Sequence, residues 1–212
     1  MKPNDIESLS FEIIDREAGP HTFSPAAWTI VRRMIHTTAD FEYIDSVRFH
    51  PHAIERGIEA ILSGKPIITD TEMARVGIRK GDTGRFGCAV ECFIADPAVR
   101  ERAQEEGITR AKAAVDMAAE KMTGGIYVVG NAPTALLRLL ELIKEGKARP
   151  ALIIGLPVGF VNAAESKSEL LASDFPCITN IGRKGGSNVA ASVVNAIVKF
   201  AIAEAAKAAK EG

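Results

Sequence analysis

The sequence predicts an α/β fold in which helices cover both faces of a mainly parallel, five-stranded sheet. Five short apolar runs lack the polar alternation of half-exposed strands, which is typical of strands buried on both faces. Four of them lead, through a turn of small or glycine residues, into a helical pattern. The runs are PIIT (66–69), GCAVECFI (87–94), GIYVVG (125–130), ALIIG (151–155) and CITNI (177–181).

The first third of the chain predicts helices that pack on this sheet. Apolar residues at helical spacing indicate a helix over 5–17. Ser24 and Pro25 are a helix cap and a proline suited to the first turn, and the apolar stripe that follows ends near His36. A further helix is expected over 51–62, and residues 47–49 suit a short strand. We therefore expect residues 1–212 to form a single domain, with N-terminal helices within about 5–62.

The remaining helices alternate with the strands. Asp96 and Pro97 open a helix that extends to about Glu106, and Thr109 caps a helix over 110–122. Helices are also expected over 133–145, after Val161, and over 188–209. Between the first and second runs, basic residues spaced by glycines in 75–85 predict a mobile loop that closes over an anion. A solvated charge run is the competing interpretation.

Composition narrows the class of protein. The 212 residues carry a formal net charge of −1, which does not suit a nucleic-acid binder. Three cysteines in apolar surroundings indicate buried free thiols in a reducing cytoplasm, and no metal site is expected. No apolar run approaches the roughly 20 residues of a membrane helix, so we expect a cytoplasmic protein without a membrane partner.

The turns after the strands predict an anion-binding cleft. The carboxyl ends of parallel strands share one edge, where helix N-termini offer unpaired amides. The dinucleotide fingerprint and the Walker A spacing are both missing, so the site suits several separated negative groups rather than one phosphate chain. The ordinary alternative is a set of tight turns in any α/β protein. The candidate ligand-binding residues are Asn131, Gly159, Arg183, Lys184, Gly185 and Ser187.

Arg110 and His36 are the most informative ionisable residues. Arg110 is the first residue of a helix, where the dipole disfavours a cation. Its presence is explained either by an anionic partner or by packing of its aliphatic part along the helix surface. His36 ends a helix, whose partial negative charge favours a protonated imidazole. Capping of the last carbonyls is its alternative role. No nucleophile elbow or serine–histidine–aspartate order is present, which leaves His36 as the acid/base candidate.

Six segments together resemble the precorrin-8X methylmutase family, in the same order along nearly the whole chain. They are IHTTADFEY (35–43), ITDTEMARVGI (68–78), GITRAKAA (107–114), VGNAPTALLRLLEL (129–142), RPALIIGLPVGFVNAAESK (149–167) and GRKGGSNVAASVVNAI (182–197). The resemblance implies a flavodoxin-like, doubly wound fold and a homodimer with its sites at the subunit interface. It also implies an isomerase of cobalamin biosynthesis that moves a methyl group from C-11 to C-12 of a corrin precursor, giving hydrogenobyrinate or cobyrinate.

The resemblance also implies roles for individual residues. His36 matches the catalytic histidine, Arg110 the arginine of the T-R-x-A-A segment, and Ser10 the serine before the first-helix phenylalanine. Arg79 stands where the family has a threonine. The substrate is a tetrapyrrole with several carboxylates, and no cofactor is expected because the reaction is intramolecular and redox-neutral. The rival hypotheses are a non-catalytic corrinoid carrier and a flavin- or nucleotide-binding protein.

Overall fold

The computed structural model describes residues 3–211 and alternates helices with short strands. The strands are β1 (Val47–Phe49), β2 (Ile67–Thr69), β3 (Val90–Cys92), β4 (Ile126–Val129), β5 (Leu152–Gly155) and β6 (Cys177–Asn180). The helices are α1 (Pro3–Ala18), α2 (Pro25–Thr38), α3 (Tyr43–Ser46), α4 (Ala53–Leu62), α5 (Glu72–Gly77), α6 (Lys80–Gly84), α7 (Pro97–Glu105), α8 (Arg110–Ala118), α9 (Pro133–Lys144), α10 (Ala163–Ala172) and α11 (Ser187–Glu211).

The strands form one six-stranded sheet in the order β1-β6-β5-β4-β2-β3. β1 pairs antiparallel with β6, whereas the other four neighbouring pairs are parallel. The sheet is therefore mixed and six-stranded, and the prediction of a five-stranded, mainly parallel sheet is wrong. β1 is only three residues long, with an exposed middle residue, so it lacks the apolar run that marks the strands buried on both faces.

Helices cover both faces of the sheet, as predicted. On one face, α2, α4 and α11 pack on alternate strand residues that include Ile126, Val128 and Ile154. On the other face, α8, α9 and α10 pack on the intervening residues, which include Tyr127, Val129 and Ile153. Burial of both sets explains why these strands read as continuous apolar runs in the sequence.

The predicted helix starts are confirmed by their caps. The Ser24 hydroxyl accepts a hydrogen bond from the Ala27 N–H at 3.2 Å, and Pro25 occupies the first helical position. Asp96 and Thr109 likewise accept hydrogen bonds from amides in the first turns of α7 and α8. α2 ends at Ala39, whose φ of 53° is left-handed. His36 therefore lies in the last turn of that helix.

Two predictions about the middle of the chain are wrong. The basic segment 75–85 is not one loop, because α5 and α6 occupy most of it. The run 87–94 gives a strand only over Val90–Cys92, since Gly87 takes a left-handed φ of 76° and Cys88 donates its thiol to the Ile61 carbonyl. Cys88, Cys92 and Cys177 are free thiols; Cys88 and Cys177 are buried as expected, whereas Cys92 is half-buried.

α11 is the central helix of one face. Within residues 3–211, its Ser187–Lys210 stretch is the one helix that meets the length and apolarity of a membrane span, so the expectation that no run approaches that length is wrong. Its residues Val189, Val193 and Ile197 are fully buried in the core. α11 also packs against α2, α4 and α5. These contacts are those of a core helix.

Candidate functional site

The turns that follow the parallel strands lie along one edge of the sheet. The carboxyl ends of β2, β4, β5 and β6 are aligned, because Thr69 pairs with Val128 and Gly155 pairs with Thr179 on the neighbouring strands. The segments 70–71, 130–132, 156–162 and 181–186 leave the sheet at this edge and lead into helices. The predicted cleft therefore has the expected backbone framework.

Asp70 fastens the turn after β4. Its Oδ1 accepts a hydrogen bond from the Gly130 N–H at 2.8 Å, and its Oδ2 accepts from the N–H groups of Asn131 and Ala132 at 2.9 and 2.8 Å. Asp70 is only 2% exposed, and this burial raises its carboxyl pKa although the three amide bonds oppose the rise. Asn131 itself is exposed, so its side chain is available at the edge.

Ser187 lies at the centre of the same edge. Its hydroxyl is 2.7 Å from the Thr71 hydroxyl. Its backbone packs closely on Gly130, since a Cβ added to Gly130 would lie 2.6 Å from the Ser187 Cα. Ser187 is buried, with 7% of its surface exposed. It therefore joins the turns after β2 and β4 to the start of α11, and its hydroxyl is engaged with the protein.

The turns after β5 and β6 are joined through their backbones. The Gly159 N–H donates to the Arg183 carbonyl at 3.2 Å, and the Gly186 N–H donates to the Leu156 carbonyl at 2.9 Å. A Cβ at Gly185 would lie 2.3 Å from the Leu156 carbonyl oxygen, so only glycine allows this approach. Gly159 and Gly185 thus contribute to the close backbone packing of these two turns.

Arg183 reaches outward from the joined turns. It is exposed, and its guanidinium carbon lies 5.5 Å from the ring centroid of Phe160. Phe160 is 84% exposed, and Val161 beside it is 77% exposed. Together they present a cation and an apolar surface at one place. The sequence does not identify Phe160 as a site residue, because a single aromatic residue in a turn gives no functional signal.

Lys184 is held by carboxylates of the N-terminal part of the chain. Its Nζ lies 2.5 Å from Asp40 Oδ2 and 2.9 Å from Glu42 Oε2. These hydrogen bonds raise the pKa of the Lys184 ammonium. Partial burial acts to raise the pKa of Asp40, but hydrogen bonds from Lys184 and the Glu42 N–H, together with the Lys184 charge, lower it overall. The ammonium thus joins the turn after β6 to the segment that follows α2.

Lys167 supports the same turn from inside. It is 1% exposed, and its Nζ donates to the Asn180 Oδ1 at 3.1 Å and to the Lys184 carbonyl at 2.6 Å. It makes no ion pair with any residue that the structure describes, and burial lowers its pKa to about 8. A buried lysine without a carboxylate partner is a cation placed close to the cleft.

His36 and Ser10 come together, although 26 residues separate them in the sequence. The Ser10 Oγ lies 2.8 Å from His36 Nδ1. The Phe11 ring and the imidazole pack edge to face, with centroids 5.3 Å apart. Within residues 3–211 no hydrogen bond engages His36 Nε2, and the residue is exposed.

α1 is fixed on α2 by charged and aromatic contacts that place Ser10. Arg33 Nη2 lies 3.0 Å from Glu7 Oε1, and Arg32 Nη1 lies 2.6 Å from Asp15 Oδ2. The Arg32 guanidinium also lies 4.6 Å from the centroid of the Phe11 ring. The serine is therefore set in place by its neighbours on both sides along the helix.

A mainly apolar cavity of about 510 Å³ opens beside the pair. Side chains of α1, the end of α2 and Phe41 line it. Asp40, four residues after His36, contacts Lys184, so the end of α2 lies beside the turn after β6. His36 is thus exposed at the surface, and the segment that follows it contacts the turn after β6.

The two remaining candidate cations are not joined to this pair. Arg110 is exposed at the start of α8, on the face of the sheet opposite α2, and it makes no ion pair within residues 3–211. Arg79 is exposed beside α11, where its N–H donates to the Asn195 side chain. Across the described residues, no cluster of three or more histidine, cysteine, aspartate or glutamate residues could hold a metal ion.

The chain is similar to known proteins over nearly its whole length. The family model of precorrin-8X methylmutase matches residues 5–200. The cobalt-precorrin-8 methylmutase of Priestia megaterium is 50% identical, over 93% of this chain and 88% of that protein. The enzyme of the same name from Salmonella typhimurium is 47% identical, over 93% of this chain and 95% of its own length. The crystal structure of a Thermus thermophilus precorrin-8X methyl mutase superposes with a TM-score of 0.89 and 46% identity, covering 95% and 97% of the two chains.

Proposed function

The chain belongs to the precorrin-8X methylmutase family, and on that premise we propose that it isomerises cobalt-precorrin-8 to cobyrinate. It is an isomerase of cobalamin biosynthesis. In the reaction a methyl group leaves C-11 of the macrocycle and bonds to C-12 of the same molecule, so no atoms are gained or lost. The names of the relatives at 50% and 47% identity support the cobalt-containing substrate over precorrin-8X, which would give hydrogenobyrinate.

The observation that carries the mechanism is the pairing of Ser10 with His36. The 2.8 Å contact occupies Nδ1 and orients the ring, leaving Nε2 for the substrate. When the serine hydroxyl donates to Nδ1, the neutral ring carries its proton on Nε2, and a protonated ring carries protons on both nitrogens. In both cases Nε2–H is a donor beside the apolar cavity.

His36 is the catalytic residue in this proposal. A hydrogen bond or proton from Nε2 to the macrocycle withdraws electron density from the conjugated system and lowers the barrier to a 1,5-sigmatropic methyl shift. Positioned acid catalysis of this type contributes roughly 10²–10⁴-fold to a rate. The serine contributes by holding the ring, so Ser10→Ala should cost less than removal of the imidazole.

The substrate carboxylates are held by the edge of the sheet. Arg110 and Arg183 are exposed and make no ion pair within residues 3–211, which suits a polyacidic ligand. Asn131 is also exposed there, and Gly159, Gly185 and Ser187 shape the backbone. Lys184 acts mainly through Asp40 and Glu42. Arg79, which stands where the resemblance implies a threonine, lies beside α11 and donates its N–H to Asn195.

We also propose the flavodoxin-like arrangement of the fold and a single domain. Numbered among themselves, the five parallel strands follow the order 2-1-3-4-5, which is the flavodoxin-like order. The family model covers 5–200, which supports one domain over residues 1–212. The proposed ligand is a tetrapyrrole, without a cofactor, a nucleic acid or a membrane partner, in the cytoplasm.

A homodimer would complete the site. Arg110 and His36 lie on opposite faces of the sheet in one protomer, and a second protomer could bring a cation to the histidine. Exposed apolar residues at the cavity and the cleft, including Ile6 at 55% and Phe160 at 84%, suit coverage by a partner or the substrate.

The test is incubation of the purified protein with cobalt-precorrin-8 and, separately, with precorrin-8X under anaerobic conditions. We expect the visible spectrum to change to that of cobyrinate, with the cobalt substrate turned over more efficiently. Preferred turnover of the metal-free substrate would contradict the cobalt proposal. Binding of both without a spectral change of either would identify a corrinoid carrier instead.

A further inference from the structure

Asp70 lies where an open α/β sheet usually binds its ligand. The chain runs from β2 to β3 on one side and then returns to β4 on the other, so the crevice between β2 and β4 is the topological switch point. Asp70 directly follows β2 at the carboxyl edge. Its two oxygens accept hydrogen bonds from the N–H groups of residues 130–132, just before α9 begins at Pro133. Those amides are the type of group that holds a bound anion in such folds.

We propose that Asp70 is a positioning residue that acts as a built-in anion at the switch point. The carboxylate accepts the hydrogen bonds of the three amides that a bound phosphate or flavin phosphate would use. A phosphate is thereby excluded at this point, and the ligand binds elsewhere along the edge of the sheet. It also fixes the turn after β4, and with it part of the carboxylate-binding surface. The role in the carboxylate-binding surface rests on the proposed function, whereas the role as a built-in anion does not.

A chain of contacts leads from Asp70 to the predicted substrate-binding residues. The carboxylate holds Asn131 directly through its N–H. Beyond that turn, the hydroxyl of Thr134 in α9 lies 3.1 Å from the hydroxyl of Thr109. Thr109 caps α8 by accepting from the Lys112 N–H at 3.2 Å, and Arg110 is the next residue. Movement of the 130–132 turn would therefore displace the start of α8 and its arginine.

The first experiment compares Asp70→Asn with Asp116→Asn in the full-length protein. Asp116 is the control, because its side chain is 7% exposed and it pairs with Arg138 of α9 at 2.6 Å and with Arg102 of α7 at 3.2 Å rather than with the turn after β4. We expect Asp70→Asn to raise KM on the order of tenfold, with kcat changed less than about threefold, because a misplaced amide and arginine weaken substrate binding. Asp116→Asn should lower the melting temperature comparably without that change in KM. Equal KM values for the two variants would overturn the role in substrate binding.

The second experiment uses Asp70→Gly and formate, which is the removed carboxylate without its methylene group. We expect formate to raise the melting temperature of this variant by at least about 3 °C, with no effect on the wild type, while chloride at equal ionic strength does nothing. Inorganic phosphate should leave the wild type unchanged. If the variant folds only in formate, the proposal is supported equally. No effect of formate on stability or on refolding would overturn the built-in anion.

These two readouts separate the proposals. Rescue by formate needs no turnover, so it stands even if the wild type fails to isomerise a corrin precursor. Conversely, an active enzyme whose Asp70→Gly variant ignores formate would retain the proposed function and lose this inference.

Discussion

Replacement of Lys167 by methionine gives a pH signature that can be worked out from the structure. The ammonium is 1% exposed and donates to Asn180 and to the Lys184 carbonyl without an ion pair within the described residues. Burial lowers its pKa from 10.5 to about 8. The shift corresponds to about 3 kcal/mol of disfavoured charge in the folded state, at 1.36 kcal/mol per pKa unit.

The sign follows from the protons bound in each state. Below about pH 8 both states carry the proton, so this group adds no pH dependence. Between about 8 and 10.5 the folded protein has lost the proton while the unfolded chain retains it, so stability rises with pH. The neutral amine keeps two N–H donors, so both hydrogen bonds of Lys167 survive its deprotonation.

The variant should be close to the wild type in stability at pH 7. Lys167→Met removes the buried charge, which gains about 3 kcal/mol, but it leaves the Asn180 amide oxygen without a donor at a cost of about 1–3 kcal/mol. The Lys184 carbonyl still accepts from the Asn180 amide at 3.0 Å. Towards pH 10.5 the wild type should become the more stable protein by about 1–3 kcal/mol.

The assay is urea unfolding of both proteins at several pH values from 7 to 10. The exposed Lys207, replaced by methionine, is the matched control and should give a difference from the wild type that does not change with pH. A constant difference between wild type and Lys167→Met across this range would refute the reasoning, since it would mean that the buried amine is not shifted.

Three further substitutions test the edge of the sheet. Gly185→Ala should cost about 1–3 kcal/mol in urea unfolding, since its Cβ would meet a backbone carbonyl at 2.3 Å, whereas Gly81→Ala, with open space around it, should be near neutral; equal midpoints would contradict the close approach. Arg110→Ala should raise KM on the order of tenfold in steady-state kinetics, and a loss confined to kcat would disprove its carboxylate-binding role. Lys184→Met should lower kcat more than it raises KM, because it releases the segment after His36; a change in KM alone would mean that the ammonium contacts substrate instead.

The sequence predicted the parts of the fold that local physics determines. Buried strands gave continuous apolar runs, and the caps at Ser24, Asp96 and Thr109 marked helix starts. The sequence does not place β1 in the sheet, because three residues carry little pattern and the pairing of β1 with β6 joins distant parts of the chain. The basic residues and glycines of 75–85 predict a loop, yet packing against α11 gives this segment two short helices.

The candidate site shows the same division. The glycine turns and their common edge followed from strand order, and His36 stood out by its place at a helix end. Ser10 became a candidate only through the family resemblance, and its contact with His36 needed the tertiary structure, since a serine 26 residues away gives no local signal. The engagement of Lys184 by Asp40 and the role of Asp70 needed the tertiary structure, because carboxylates in turns are ordinary surface residues in a sequence.

The most direct measurement of the central claim is the single-turnover rate of His36→Asn with cobalt-precorrin-8, alongside its affinity for the same substrate. We expect the rate to fall roughly 10²–10⁴-fold while binding changes little, because the imidazole acts on the methyl shift and not on the carboxylates. An unchanged rate with intact binding would show that the histidine beside Ser10 takes no part in the chemistry.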